Sequence, residues 1–550
     1  MSPSNICNMP VSTQKTPTLH CLYTHSISNF ADKKAYSTTK GASLTFKEFD
    51  CCVQKITEIL NDSGLEKGDK VAILGNNMPN WSASYFATTT SGRVAVPVLI
   101  DFTAFEIVNI LEHSDTKALI VSTKLLYKIP EHILNKLRLV VRMDNLEIIT
   151  ENGSSSRNES SEPSPQEIAS IIYTSGASGT SKGVILTHSN LFSQIEMVTE
   201  LFPVYPEDTF LSILPLSHAY ECNMGMIYPF SRGSSVTYLD GAPTPSLLMP
   251  ALKEVRPTVM LSVPLIVEKI YKTKIRPLFT RSSTMRILYS ISFIRRIFHK
   301  TARKKLLNTF GGNLRLFGIG GAKLSGVVER FLSDAGFPYA IGYGLTETSP
   351  LLAGTLPRKT KWQSTGSVLK GVEMKIVDQD KKKVGEIVVK GLNVTAGYYK
   401  DEEKTRNSFT SDGWFRTKDL GLLDKHGNLY IKGRKDNILT DTNGESIYPE
   451  DIETIINEYD LVLESFVMRA KNGKLVAKIY FNYEEIQSSE DTILSPELTI
   501  EEKLVKIKKD LLTFINDRVD KTSKIAEIIE QPIPFEKTAT QKIKRFLYSD

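Results

Sequence analysis

Residues 173–183 concentrate groups that bind phosphate: Gly176, Gly179 and Gly183 stand among the hydroxyls of Thr174, Ser175, Ser178, Thr180 and Ser181, beside the ammonium of Lys182. Glycines let such a loop bend tightly, so backbone N–H groups, hydroxyls and one cation can meet a polyphosphate. An apolar run, Ile168 to Ile172, leads in, and a second, Val184 to Leu186, leads out. The segment is not a Walker A loop, which needs Gly-Lys-Ser/Thr opening a helix; here Lys182 follows Ser181 and a strand-like run comes next. On these residues alone a plain Gly/Ser surface loop stays open as the alternative.

A second concentration lies in the run Tyr339 to Thr348. Gly342 and Gly344 would let backbone approach a flat base, and Tyr343 offers it an aromatic face. Thr346 supplies a hydroxyl for phosphate, and Glu347 a hard oxygen suited to Mg2+ bridging phosphates. The run Asp412 to Asp419 closes on a carboxylate, Asp419, whose two oxygens can accept a pair of hydrogen bonds.

With these runs in this order, the chain resembles the adenylate-forming enzymes, a family of acyl-CoA synthetases, adenylation domains and luciferases. The resemblance covers roughly residues 40–545. It implies that Thr174, Ser175, Gly176, Ser178, Gly179, Thr180 and Lys182 bind ATP phosphates, and that Gly320, Gly321 and Ala322 join Gly342, Tyr343 and Gly344 around the nucleotide. It places His218, in Leu214 to Tyr220, near the carboxylate to be activated, and Arg434 at ribose or phosphate. Asp436 takes the position of the family's hinge. Lys542, in the terminal run Pro534 to Arg545, takes that of the lysine that drives the first half-reaction. Glu347 is the expected magnesium ligand and, with Thr346, His218 and Lys542, part of the expected catalytic set. The chain departs from the common pattern at Ala177, Ser181, Lys418 and Gln541; the last two stand where glycine is usual.

Elements must hold these residues in place. Phe46 to Leu60 reads as a helix. Val71 to Leu74, Val94 to Val98 and Ala118 to Val121 read as strands, and strands alternating with helices predict βαβ units and a largely parallel sheet. The resemblance implies an α/β fold: a large N-terminal domain, residues 1–434, of mixed and parallel sheets flanked by helices plus a β-barrel-like subdomain, and a small mobile α+β domain, residues 435–550. Residues 151–165 are rich in serine and read as a mobile loop.

The chain of 550 residues, 41% hydrophobic and 24% charged, has material for two or more domains. A net charge of +6 makes no case for nucleic acid. Five cysteines, none in a CxxC pair, argue against a disulfide framework or zinc site. The polar first twenty residues and the lack of an apolar run of ~18 residues predict a cytoplasmic protein. Between 276 and 305 basic residues accumulate, and Ile287, Ile291, Ile294 and Phe298 recur at helical spacing; such a helix either lies on the inner face of a membrane or packs as an ordinary surface helix.

The resemblance is strongest to the long-chain fatty acyl-CoA synthetases. It implies Mg2+ as cofactor and ATP, CoA and a long- or medium-chain fatty acid as substrates, with acyl-AMP between the two half-reactions. Two other readings stay open on sequence: an acyl-carrier-protein synthetase using the same adenylate, and a nucleotide-binding protein without turnover.

Overall fold

The computed structural model describes residues 16–152, 157–175, 181–280, 285, 288–289, 291–440, 446–488, 499–537 and 543–548. Ser175 is described in its backbone alone. Of the four sheets among the described residues, two large ones and a three-stranded one carry the fold, and the fourth is the short pair Leu439–Thr440 and Ser446–Ile447.

The first sheet has eight strands. At its centre Lys70–Leu74 pairs in parallel with Val94–Val98 on one side and Thr116–Val121 on the other. These strands are buried over almost their whole length, as expected where helices cover both faces of a parallel sheet. Toward one edge follow Ile168–Ser175, Ser181–Thr187 and Gly397–Tyr398, the last two joining antiparallel. The helix Phe46–Asp62 packs against the helix Pro79–Thr90 and the strands Lys34–Thr38 and Leu44–Thr45. Thr45 and Glu48 close a capping box at its start, and Phe46, Phe49, Val53, Ile56 and Leu60 turn inward at helical spacing. Each such buried side chain contributes roughly 1.5–3 kcal/mol.

The second sheet has thirteen strands. From Lys34–Thr38 through Ser235–Tyr238, Thr209–Ser212, Val259–Ser262 and Leu316–Ile319 to Tyr339–Gly344 the neighbours run parallel. At Tyr339–Gly344 the direction changes: its other neighbour, Leu351–Gly354, is antiparallel. What the sequence reads as a barrel-like subdomain is the antiparallel wing beyond that point, packed around Tyr343, Leu352, Ile387, Val389, Phe415 and Leu429. Ligands of α/β sheets gather where strand order or direction switches, and Tyr343, Thr346 and Glu347 lie on or just after the strand at this point.

The third sheet, Val462–Arg469, Leu475–Phe481 and Glu527–Glu530, packs with the helices Pro449–Ile456 and Ile500–Asn516 around a core of its own, including Ile452, Ile456, Val467, Ile479, Leu511 and Ile515. It meets the larger part of the chain through polar contacts: Lys432 to Asp451 at 3.4 Å, Tyr448 Oη to Asp380 at 3.1 Å, Lys272 Nζ to the Asn457 carbonyl at 2.7 Å.

Two local expectations are corrected. Part of the serine-rich stretch is tethered: Asn158 donates to the carbonyl of Gly64, Ser160 to Asn61 Oδ1, and Arg157 pairs with Asp62 at 3.0 Å. In the basic segment the helix runs Ser292–Thr309, and its buried positions are His299 and Leu306 rather than the isoleucines. Ile291 is exposed, Ile294 and Phe298 are half-buried, and Ile287 lies outside the described residues.

Candidate active site

The segment expected to bind phosphate is a β-hairpin. Ile168–Ser175 and Ser181–Thr187 pair antiparallel with Thr174 opposite Lys182. Its tip, with Gly176, Ser178, Gly179 and Thr180, lies outside the described residues. Gly183 has no room for a side chain, since a Cβ would lie 2.9 Å from Ile171 and 3.1 Å from the Tyr173 ring. Among the described residues the buried Thr174 Oγ1 has no partner. A buried hydroxyl left unmatched beside such a loop suits an acceptor or donor brought by a ligand.

Lys182 reaches out of this hairpin to Glu347. Its Nζ lies 2.6 Å from Glu347 Oε1 and donates to Tyr398 Oη at 3.2 Å, while the Tyr398 hydroxyl donates to the same Oε1 at 2.9 Å. The tyrosine ring also lies under the ammonium, 4.6 Å from its centroid. Burial pushes the Glu347 carboxyl up, but the charge and hydrogen bond of Lys182, with the Tyr398 hydroxyl, outweigh it and hold the group below the usual carboxylate range. The site therefore keeps an anion where a lone buried carboxyl would take a proton.

Glu347 sits in a single 3-10 turn, Thr346–Thr348, directly after the strand Tyr339–Gly344. Gly344 is demanded by the chain itself, since a Cβ there would collide with the Pro350 carbonyl. Three buried amides then grip the turn's backbone. Asn393 Nδ2 donates to the carbonyls of Thr348 and Leu351 at 2.9 and 3.0 Å. Asn223 Nδ2 donates to the Ser349 carbonyl at 2.6 Å, and Gln194 Oε1 accepts from Leu351 N–H at 3.0 Å. Thr395 N–H donates to the carbonyl of Glu347 itself. A carboxylate on a turn so held has little freedom to move.

On the antiparallel wing Asp419 faces Arg434 across two paired strands, with Arg434 Nε 3.4 Å from Oδ1. The other carboxylate oxygen accepts from the Tyr343 hydroxyl at 2.8 Å. Burial lowers the Arg434 guanidinium, but the carboxylates of Asp419 and Glu347 overcome this and raise it. Lys418 stands at φ 59°, the left-handed conformation that glycine adopts without penalty, which accounts for glycine being usual there. Its ammonium lies 3.5 Å from Asp436 in the turn Lys435–Asn437.

His218 is half-buried, and its Nδ1 accepts from the backbone N–H of Tyr220 at 3.2 Å. That bond leaves the proton of the neutral ring on Nε2. Asn77 steadies the preceding loop, accepting from Leu216 N–H and donating to the Leu214 carbonyl. Behind it Glu221 is buried, which pushes its carboxyl up to about 8 although Ser212 hydrogen-bonds it. Tyr220 stacks over Gly320, where a Cβ would lie 3.3 Å from its ring; Gly321 has φ 87°, and Gly321 and Ala322 are exposed.

The structure thus brings together Lys182, Thr346, Glu347, Tyr343, Asp419 and Arg434, with Lys418 bridging to Asp436. Lys542 lies outside the described residues. The described residues on either side of it are fastened to the small sheet's unit: Lys537 and Ile543 form a β-bridge, and Lys537 pairs with Glu464 at 2.6 Å. Sequence reasoning missed Tyr398 and the amides Asn77, Gln194, Asn223 and Asn393. Their partners are remote in the chain, and no local spacing announces them.

A hard carboxylate oxygen suits Mg2+. Among the described residues no three His, Cys, Asp or Glu side chains gather as a metal site. Glu347, whose recorded partners both meet Oε1, would therefore share the ion with phosphate oxygens and water, which is how Mg2+ commonly binds.

Known proteins align with this arrangement. A family model described as AMP-binding enzyme matches residues 23–399. Peroxisomal long chain acyl-CoA synthetase 7 of Arabidopsis thaliana is 28% identical over 527 residues, covering 86% of this chain and 75% of that protein. Long-chain-fatty-acid–CoA ligase 5 of Rattus norvegicus is 29% identical over 462 residues, 74% of this chain and 67% of its own length. In fold, the chain matches the o-succinylbenzoate CoA synthetase of Bacillus subtilis solved with AMP, at a TM-score of 0.76 with 22% identity over 96% of this chain and 98% of that one. It also matches ATP-bound MatB from Rhodopseudomonas palustris, at 0.76 with 21% identity over 97% and 98%. The family model spans well over half of the sequence and takes in the hairpin, the Glu347 turn and Tyr398, so the chain belongs to the AMP-binding enzyme family.

Proposed function

We propose that this protein is an AMP-forming acid–thiol ligase that activates a long- or medium-chain fatty acid with ATP and passes the acyl group to CoA. The observation that carries the reading is Glu347, kept ionised in a buried position by Lys182 and Tyr398 beside the Asp419–Arg434 pair. The names of the relatives, long-chain acyl-CoA synthetases, supply the substrate class.

In the first half-reaction a fatty carboxylate oxygen attacks the α-phosphorus of ATP; the bond to the β-phosphate oxygen breaks and pyrophosphate leaves. No general base is needed, because a carboxylate is already ionised at neutral pH. Two anions must nevertheless meet, so the need is for preorganised positive charge. Lys182 and the hairpin tip, with Thr174, Ser175, Gly176, Ser178, Gly179 and Thr180, cradle the β- and γ-phosphates. Lys542 neutralises the charge at the reacting phosphate. Mg2+, held by Glu347, would draw charge off the phosphate oxygens. Asp419 and Arg434 hold the ribose; Gly320, Gly321, Ala322, Gly342, Tyr343 and Gly344 frame the base. The Nε2 proton of His218 orients the acid. In the second half-reaction residues 435–550 turn about Asp436 on the 1–434 domain, Lys542 withdraws and residues 443–449 enter. A thiolate then attacks the acyl carbon and AMP departs with the electron pair of the C–O bond. Alternation of this kind is a hinge motion of a small lobe on a large one.

CoA is the acceptor the relatives' names favour over a carrier protein. ATP–pyrophosphate exchange across acids from acetate to oleate tests the reading. Exchange should rise with chain length toward the long acids; exchange with none of them would leave a nucleotide-binding protein without turnover.

A further inference from the structure

From residue 269 to residue 328 the sequence contains no aspartate or glutamate and carries 14 lysines and arginines. The remainder then holds 54 basic against 62 acidic side chains, a balance of −8, although the whole chain stands at +6. The positive charge of this protein is therefore local, and the helix Ser292–Thr309 holds much of it, with Arg295, Arg296, Lys300, Arg303, Lys304 and Lys305.

The inward face of this helix is already satisfied. His299 Nδ1 faces Asp334 at 3.1 Å, its Nε2 meets the Tyr289 hydroxyl at 2.8 Å, and that hydroxyl lies 3.1 Å from Tyr271 Oη. Phe298 stacks with Phe279, and Leu306 is buried. The opposite face is different. Phe293 is 73% exposed and Ile297 45%, and they share one stripe with Lys300 and Lys304 at spacings of four, three and four residues. Ile291 extends the apolar end at 47% exposure. Among the described residues the one carboxylate paired with a cation of this helix is Asp334, 3.6 Å from Arg296.

We infer that the exposed stripe Phe293–Ile297–Lys300–Lys304 docks this protein on an anionic phospholipid surface. Aromatic and aliphatic side chains at one end enter the headgroup boundary, while the lysines and arginines meet lipid phosphates and carboxylates. Charge complementarity selects the partner: a helix without one acidic side chain repels a basic surface and gains from an acidic one. An isolated exposed phenylalanine would need no explanation, but one in register with Lys300 and Lys304, which pair with no carboxylate among the described residues, on a helix whose inner face is full does. The docking goes beyond the ligase reading and does not depend on it, because neither ATP nor acid takes part.

Flotation of the full chain with phosphatidylcholine vesicles containing 30% phosphatidylserine, against pure phosphatidylcholine, tests this. The protein should float with the acidic vesicles alone, and raising salt from 0.1 to 0.5 M should lower partitioning about tenfold, as screening shortens. Lys300→Glu/Lys304→Glu and Phe293→Ser/Ile297→Ser should each cut partitioning at least tenfold with an unchanged thermal midpoint. Equal flotation with both vesicle types, flotation indifferent to both double variants, or capture of an acidic carrier protein by this face without any vesicle binding would overturn the inference.

Discussion

Lys182 and Glu347 stand 165 residues apart in the chain and 2.6 Å apart in the structure. The pair joins the eight-stranded sheet to the point where the thirteen-stranded sheet changes direction, with Tyr398 bonded to both members. An ion pair in this setting is poor evidence of stability, since desolvating two charges offsets much of their attraction. In the proposed function the pair holds a charged cradle ready for a third charged group.

Removing the cation exposes that imbalance. Lys182→Ala should destabilise the protein by on the order of 3 kcal/mol, because Glu347 remains buried without its partner. Urea unfolding at pH 7 measures this. Glu347→Gln/Lys182→Met, which removes both charges, should recover much of the loss; no recovery would show that the lysine acts by packing alone.

The same pair sets an acid dependence. The folded Glu347 carboxyl is depressed, so its stabilisation is present above the unfolded value of about 4.3 and is lost as pH falls through the lower folded value. The stability difference between wild type and Glu347→Gln should shrink as pH drops from 6 to 3. In activity, Glu347→Gln should slow ATP–pyrophosphate exchange at least tenfold and raise the magnesium concentration needed for half-maximal rate. An unchanged magnesium profile would remove Glu347 from the ion's coordination.

In the proposed mechanism Lys542 serves the first half-reaction and not the second. Lys542→Ala should abolish adenylate formation yet leave thioester formation from pre-made acyl-AMP within a few-fold of wild type. Equal losses in both assays would contradict its role as the charge delivered for adenylation alone.

Lys418 carries a backbone cost. A non-glycine residue in the left-handed region costs roughly 1–2 kcal/mol, and its contact with Asp436 at 3.5 Å is between exposed groups. Lys418→Gly should therefore raise the unfolding free energy by about 1 kcal/mol, allowing for the freer unfolded chain. A lowered midpoint would mean the Lys418–Asp436 contact outweighs the strain.

Motifs and strands were legible because their signals are local. Val94–Val98 was read with its observed ends, and the helix from Phe46 extends two residues past the expected Leu60. The capping box and the inward spacing of Phe49, Val53 and Ile56 are properties of neighbours. Tyr398 carries no local signal, because its hydroxyl acts on Glu347, 51 residues away. Asn393 and Gln194 were invisible for the same reason: an amide gripping a carbonyl from another element leaves no periodic trace. The basic helix shows a second limit. Apolar residues lie on both of its sides, and spacing alone could not say whether Phe298 or Phe293 would face the core; the Asp334–His299–Tyr289 chain decided it.

The central claim is that the protein joins a fatty acid to AMP and then to a thiol. Incubation with palmitate, ATP and Mg2+, read by mass spectrometry before and after CoA is added, tests it most directly. The account predicts palmitate-dependent pyrophosphate and bound palmitoyl-AMP before the addition, then equal amounts of AMP and palmitoyl-CoA after it. ADP and inorganic phosphate as products, or pyrophosphate release that ignores the acid, would contradict it.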